Sequence, residues 1–197
     1  MFELELASRG GAPLFRPFHI LKALWHLQQL EPLGRKELSE HLSIGEGSAR
    51  KLVSYLEEKD WASTTRAGIG LTTEGQALLN QIGFLASKTD AGDITVGEND
   101  FGIRLRGCAK LVAKGIEQRD EAMKVGASGA TTLVFDGKLK FSDGFLASDS
   151  DGTASKALVE KFELQDGDLL IIGSSPNLNL AKDGAFAAAV VTLESKK

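Results

Sequence analysis

The sequence predicts an α+β protein with an N-terminal winged helix-turn-helix followed by a compact C-terminal α/β domain. Up to residue 86, apolar side chains recur mainly at helical spacing, with two short β-prone segments towards the end. Residues 87–100 are polar and contain two glycines and several aspartates, which is typical of a linker. Beyond them, β-rich segments alternate with helical ones. The predicted domains therefore comprise residues 1–88 and 89–197.

Composition limits the class of protein. The chain has 197 residues, of which 42% are hydrophobic and 25% are charged, so disorder and a coiled coil are excluded. The formal net charge of -4 and the pI near 5.5 argue against a protein that coats nucleic acid through bulk charge. Any contact with nucleic acid must therefore come from a local patch.

Neither a metal site nor a membrane span is indicated. The single cysteine, Cys108, cannot supply a thiolate-rich cluster, and His19, His26 and His41 have no metal-binding spacing. No run of about 18 uncharged apolar residues exists, and the first residues lack the features of a signal peptide. We therefore expect a cytoplasmic protein that needs no metal or cofactor.

The first two helices follow from apolar spacing and turn residues. Helix one is predicted over residues 16–30, with Pro17 in its first turn, and residues 31–34 end it. Helix two is predicted over residues 35–42. The Ser-Ile-Gly turn at residues 43–45 is short enough to force the next helix across helix two, as in a helix-turn-helix.

The third helix is predicted to begin at a capping box formed by Ser43 and Glu46. Its apolar residues follow the i, i+3, i+4, i+7 pattern and are expected in the core: Ala49, Leu52, Val53 and Leu56. The residues expected on its outward face are Gly47, Ser48, Arg50, Lys51 and Ser54.

A β-hairpin, the wing, is predicted after the third helix. Its strands cover residues 61–65 and 69–71, and Gly68 supplies a position with positive φ in the turn between them. A capping box at residues 73–76 opens a fourth helix, which is predicted over residues 73–86. This order of three helices, a hairpin and a closing helix indicates a winged helix-turn-helix.

The third helix is the candidate for entering the major groove of duplex DNA. Arg50 can bind guanine N7 and O6 with two hydrogen bonds, and Arg66 at the wing tip can contact an adjacent backbone or minor groove. The alternative is that Arg50 and Lys51 form a solvated helix face and the glycines only shape the turn. The predicted DNA-contact residues are Arg35, Lys36, Gly47, Ser48, Arg50, Lys51, Ser54 and Arg66.

Local charge limits the affinity that one subunit can reach. Between Arg35 and Arg66, six basic residues meet six acidic ones, so a monomer neutralises few phosphates. With about three phosphate contacts per subunit, the salt slope is about -3, and a dimer doubles it. We therefore expect a homodimer.

The second domain is predicted to be a compact unit of strands and helices. Its segments in chain order are a half-buried strand at residues 101–105, a helix at 109–125, a hairpin of strands 131–135 and 139–141, a helix at 153–162, a buried strand at 168–173 and an alanine-rich helix at 181–193.

A ligand site in this domain is open to two interpretations. The loop that contains Ser174, Ser175 and Asn177 follows a strand and precedes a helix, where it can bind an anionic effector or serve as an ordinary connection. Arg119 can hold an anionic ligand, or form a salt bridge within its own helical turn. Glu117 and Asp120 share a face but have no nucleophile, histidine or metal set beside them, so no catalytic residue is assigned.

Several runs resemble an archaeal family of uncharacterised two-domain winged-helix proteins. The runs in the first half are FHILKAL (18–24), GRKEL (34–38), IGEGSAR (44–50) and LTTEG (71–75). Those in the second half are GIEQRD (115–120) and GASGATTL (126–133). The resemblance covers almost the whole chain and implies this two-domain fold and a role in transcription.

The leading hypothesis is a DNA-binding transcriptional regulator whose second domain senses a small anionic ligand or forms the dimer. One alternative is a protein-interaction winged helix without DNA binding, which would suit the acidic pI. The other is an enzyme that acts on a phosphorylated small molecule through the second domain. Loss of DNA binding in an Arg50→Ala, Lys51→Ala variant distinguishes the first two hypotheses.

Overall fold

The computed structural model describes residues 15–147 and 152–195, which form two compact units divided between Gln81 and Ile82. The order of elements in the first unit is that of a winged helix-turn-helix, which confirms the predicted fold class. These elements are α1 (Pro17–Leu30), α2 (Arg35–Leu42), α3 (Glu46–Glu58), β1 (Ala62–Thr64), β2 (Ile69–Leu71) and α4 (Thr73–Gln81).

The core of the first unit lies between its helices. All four apolar residues expected in the core of α3, from Ala49 to Leu56, are buried. Leu33, in the turn after α1, exchanges backbone hydrogen bonds of 2.9 and 2.8 Å with Ile69 of β2. The hairpin is therefore fixed at its base to the turn that separates α1 from α2.

Two predicted capping boxes are wrong. Ser43 has a left-handed backbone with φ of 56° and ends α2, so Gly45, without a side-chain cap, stands at the start of α3. At α4 the capping hydroxyl belongs to Thr72, whose Oγ1 accepts a 3.0 Å hydrogen bond from the N–H of Gly75. Ser43 therefore does not cap α3, because it is the C-cap of α2 and Gly45 occupies the N-cap position of α3.

The predicted fourth helix is too long. It ends at Gln81, Gly83 has a positive φ of 55°, and Leu85–Thr89 forms strand β3. The interpretation of residues 87–100 as a linker is also wrong. The segment contains the end of β3 and a 3-10 turn at Gly92–Ile94. The buried Asp100 accepts hydrogen bonds from the N–H of Ala91 and from Thr95 Oγ1, so the segment is a folded part of the second unit.

A five-stranded sheet forms the centre of the second unit. The elements after β3 are β4 (Asn99–Leu105), α5 (Ile116–Lys124), β5 (Gly129–Phe135), β6 (Leu139–Phe141), α6 (Thr153–Lys161), β7 (Leu169–Ser175) and α7 (Leu178–Glu194), with 3-10 turns at Gly92–Ile94 and Ala109–Leu111. The strand order is β3-β4-β7-β5-β6, and every pair of neighbours is antiparallel.

Helices cover both faces of this sheet. A Cβ at Gly173 of β7 would lie 2.2 Å from the carbonyl oxygen of Ala181, so α7 packs directly on this strand. On the opposite face, a Cβ at Gly102 of β4 would lie 2.4 Å from Cζ of Phe162, the residue after α6. α5 packs beside α7, because a Cβ at Gly184 would be only 3.2 Å from the Cβ of Ala122.

Two further predictions for the second unit are wrong. β4 is buried from Asp100 to Leu105, not on one face only. Arg104 is only 7% exposed in it, and its Nη1 donates a 2.8 Å hydrogen bond to the carbonyl oxygen of Phe162. The helix predicted over residues 109–125 is interrupted by Gly115, whose φ is 70°, so α5 begins at Ile116.

Candidate nucleic-acid interface

The outward face of α3 carries most of the residues that the sequence places there. Gly47, Arg50, Lys51 and Ser54 are exposed. Ser48 is the exception, because it is only 9% exposed, and its predicted outward orientation is wrong. It lies four residues before Leu52 and therefore shares the buried side of the helix.

The start of α3 is open to an approaching group. Gly45 provides no side-chain cap, and a Cβ at Gly45 or Gly47 would meet no atom within 4 Å. The first bonds that close this helix are donated by the N–H groups of Ser48 and Ala49 to the carbonyl oxygen of Gly45. The preceding N–H groups lack intrahelical acceptors, which makes the start of α3 suited to a phosphate.

The start of α2 contributes positive charge. Arg35 and Lys36 are both exposed. Lys36 Nζ lies 4.0 Å from Glu40 Oε1, which offsets part of its charge. Within residues 15–147 and 152–195, Arg35, Arg50 and Arg66 form no ion pair, so three guanidinium groups of the first unit remain available to an anionic partner.

The wing presents Arg66 at its exposed tip. Thr65 and Gly68 close this turn with backbone hydrogen bonds of 2.8 and 3.3 Å. Gly68 has the predicted positive φ, at 141°, and a Cβ there would lie 2.9 Å from the carbonyl oxygen of Leu33. Glycine at this position therefore lets the hairpin pack closely against the turn after α1.

The residues predicted for an effector have partners within the second unit. Ser174 Oγ donates a 2.6 Å hydrogen bond to Asp100 Oδ1, and Ser175 Oγ accepts one from the N–H of Asn177 at 3.3 Å. Asn177 Oδ1 caps α7 by accepting from the N–H of Asn179 at 2.8 Å. Ser174 and Ser175 are the last residues of β7 and are buried, at 1% and 2% exposure, so their predicted position in a loop is wrong. Only Asn177 belongs to the connection, as the N-cap of α7.

Arg119 is not brought together with these serines. Its Nη2 lies 3.0 Å from Asp120 Oδ1, the salt bridge within one turn that the sequence offered as an alternative. Arg119 belongs to α5 on the α7 face of the sheet, whereas Ser174 points to Asp100 on the α6 face. Arg119 instead lines a cavity with Lys114, Thr132 and Ser142. These three residues lie on separate segments, so no local pattern in the sequence marks them.

The described residues include neither a metal-binding cluster nor a membrane-spanning helix. They contain no group of three or more histidine, cysteine, aspartate or glutamate side chains able to hold a metal ion. None of the helices in residues 15–147 and 152–195 is long and apolar enough to cross a membrane.

Comparison with known proteins also divides the chain into an N-terminal and a C-terminal part. Residues 15–85 match the CggR N-terminal DNA binding domain, and residues 96–193 match a domain of unknown function, DUF4443. The solved structure of hypothetical protein PH0730 from Pyrococcus horikoshii OT3 is similar, with 27% identity and a TM-score of 0.65. The similarity covers 92% of this chain and 95% of that one. No curated protein matches the chain.

Proposed function

We propose that this protein is a transcriptional regulator that reads duplex DNA through its winged helix. The similarity of residues 15–85 to a DNA-binding domain supports this proposal. The observation that carries it is the exposed Arg50, which lies on α3, the helix with the open start, and forms no ion pair with any described residue. In this proposal α3 enters the major groove, Arg50 binds a guanine, and the N–H groups at the start of α3 bind a phosphate.

The other exposed residues of this surface, four cations and Ser54, have a positioning role in this proposal. Lys51 and Ser54 contact the backbone or bases beside Arg50, Arg35 and Lys36 contact the flanking phosphates, and Arg66 contacts the backbone or minor groove beside the site. Because acidic residues balance these cations in number, one subunit forms few phosphate contacts. We therefore propose a homodimer that binds two half-sites.

We further propose that the second unit senses a small anionic ligand and that the protein works in the cytoplasm, where its DNA is. An effector changes DNA affinity only if it binds one state of the dimer more tightly than the other. The similarity to the Pyrococcus horikoshii protein across both units supports membership of the archaeal two-domain family that the sequence resembles.

The test of DNA binding begins with in vitro selection of bound fragments of the source genome at moderate salt. For the selected fragment, Arg50→Ala with Lys51→Ala is expected to weaken binding at least about tenfold and to make it less dependent on salt. Both side chains are exposed, so the urea unfolding midpoint is expected to change little. Fluorescence anisotropy measures the affinity.

The matched control removes two exposed lysines of the second unit, as Lys110→Ala with Lys156→Ala. This variant loses the same net charge and is expected to bind the fragment like the parent chain. If both double variants lose affinity equally, bulk charge rather than α3 is responsible, and the reading of DNA by α3 is wrong.

A second candidate function is a protein-interaction winged helix. The equal numbers of acidic and basic residues between Arg35 and Arg66 favour it. Failure of the parent chain to retain any genomic fragment, even at low ionic strength, would select this function over DNA binding.

A further inference from the structure

A small cavity in the second unit joins three separate segments. It is lined by the start of α5, by residues 130–132 of β5 and by residues 141–143, which lie at and after the end of β6. Its volume is about 230 Å³. The cavity opens along β5 because β6 pairs with that strand only from Leu133 to Phe135.

A buried hydroxyl group lies in the wall of this cavity without a partner. Thr132 is only 5% exposed, and its Oγ1 forms no hydrogen bond with any of the described residues. Thr132 and Gly115 face one another there, since a Cβ at Gly115 would lie 3.1 Å from that oxygen. Buried hydroxyl groups in proteins almost always have a partner, so this one points to a group that the site binds.

The start of α5 faces the same cavity. Its N-cap is Gly115, which has no side chain to cap the helix. The first hydrogen bond of the helix is donated by the N–H of Arg119 to the carbonyl oxygen of Gly115. The N–H groups of Ile116 and Glu117 therefore have no intrahelical acceptor. A helix start of this kind attracts a negative charge.

The charged side chains at the cavity are mainly positive. Lys114 is exposed and forms no ion pair within the described chain. Arg119 adds a second cation, although Asp120 shares its charge at 3.0 Å. The single carboxylate in the lining is Asp143, whose Oδ1 accepts a 3.2 Å hydrogen bond from the N–H of Phe145. Ser142 contributes a further hydroxyl group.

We propose that this cavity binds the phosphate group of a small phosphate monoester. The N–H groups at the start of α5 and the hydroxyl groups of Thr132 and Ser142 donate to the phosphate oxygens, and Lys114 and Arg119 balance their charge. The remainder of the ligand extends along the open edge of β5. The site deepens the proposed sensing role of the second unit, but the binding step itself does not rest on DNA binding.

Titration of the full chain with inorganic phosphate, followed by amide NMR at constant ionic strength, tests the site. Saturable shifts are expected at Gly115, Ile116 and Thr132, with a dissociation constant in the millimolar range. Thr132→Val, which keeps the shape but loses the hydroxyl, is expected to weaken binding about tenfold. Lys114→Ala, at an exposed position, is expected to weaken it about threefold.

The control is Lys110→Ala, which removes an exposed lysine outside the cavity and is expected to leave phosphate affinity unchanged. A parallel titration with glycerol 3-phosphate distinguishes a free-phosphate site from a monoester site: the monoester is expected to bind more tightly. Equal or weaker binding of the monoester would restrict the site to free phosphate and overturn the proposed ligand class.

The cavity is not the site if the parent chain shows no saturable shift, or if Thr132→Val and Lys114→Ala both bind like Lys110→Ala. Measuring the DNA affinity of the same samples shows which proposal has failed, the phosphate site or the DNA-binding regulator. A chain that binds DNA but not phosphate refutes the cavity alone, and a chain that binds phosphate but not DNA refutes the regulator alone.

Discussion

Arg50 and Ser48 are two residues apart on α3 and have opposite surroundings. The helical period places Arg50 in solvent, and it places Ser48 above the buried Leu52. Although both side chains are polar, their positions around the helix axis decide which of them can reach DNA. Arg50 lies on the exposed side, and the proposed base contact therefore depends on it.

His19 gives the first unit a pH-dependent stability. It is 9% exposed, and its Nδ1 accepts a 2.8 Å hydrogen bond from the N–H of Arg16. Burial, followed by the charge of Lys22, lowers the pKa of His19 from 6.5 to about 4. As the pH falls through this interval, the unfolded chain gains a proton that the folded chain does not accept.

The contribution of His19 to the free energy of unfolding is therefore fully present above pH 6.5 and is lost as the pH falls towards about 4. The expected loss in free energy of unfolding is about 2 kcal/mol. His19→Gln keeps an acceptor at this position but does not titrate, so its stability should change less. Urea unfolding of both proteins near pH 7 and about pH 4.5 measures the difference. Identical pH dependence in the two proteins would contradict this role.

Among the elements, α2 and α3 have a regular apolar spacing, and the sequence predicts both helices correctly. The limits of α2 and the buried face of α3 follow from spacing within a few turns of one helix. β3 was missed because Leu85 continues the apolar spacing of α4, and only Gly83 marks the break. The proposed DNA surface follows from the local patterns of α2, α3 and the wing, whereas the pairing of β5 with β6 brings Lys114, Thr132 and Ser142 together without a common pattern in the sequence.

Gly47 offers a test in which stability and DNA affinity change in opposite directions. The position is exposed and helical, and a Cβ there would meet no atom within 4 Å. Gly47→Ala is expected to raise the free energy of unfolding by about 0.5 kcal/mol, because alanine loses less backbone entropy on folding. The added methyl group also holds the DNA backbone away from the start of α3, so DNA affinity should fall at least about threefold.

Gln81→Ala is the matched control for Gly47→Ala, since it changes an exposed, uncharged helical residue of the same unit. Its DNA affinity should equal that of the parent chain. Chemical denaturation and fluorescence anisotropy on both variants give the two quantities. If Gly47→Ala binds DNA as tightly as the parent, the start of α3 does not approach the backbone.

At the scale of the whole molecule, charge balance leads to a measurable salt dependence. The net charge of -4 gives no general attraction to DNA, so the affinity must come from the few cations of the first unit. The slope of log K against log salt is expected near -6 for a dimer, from about three phosphate contacts per subunit, and near -3 for a monomer. Anisotropy titrations at several salt concentrations give the slope.

Sedimentation equilibrium of the same protein measures the assembly state independently of DNA. A monomer in sedimentation with a slope near -3 would contradict the proposed dimer. A slope near zero would contradict phosphate contact of any kind.

The central position of β7 also determines when the second unit can fold during synthesis. This strand, Leu169–Ser175, pairs with β4 on one side and with β5 on the other, and neither of those strands pairs with the other directly. A nascent chain that has reached residue 168 therefore holds two separate hairpins with unsatisfied edges. Release of such a chain from the ribosome leaves a fragment that chaperones or proteases must handle, whereas its winged helix is already complete.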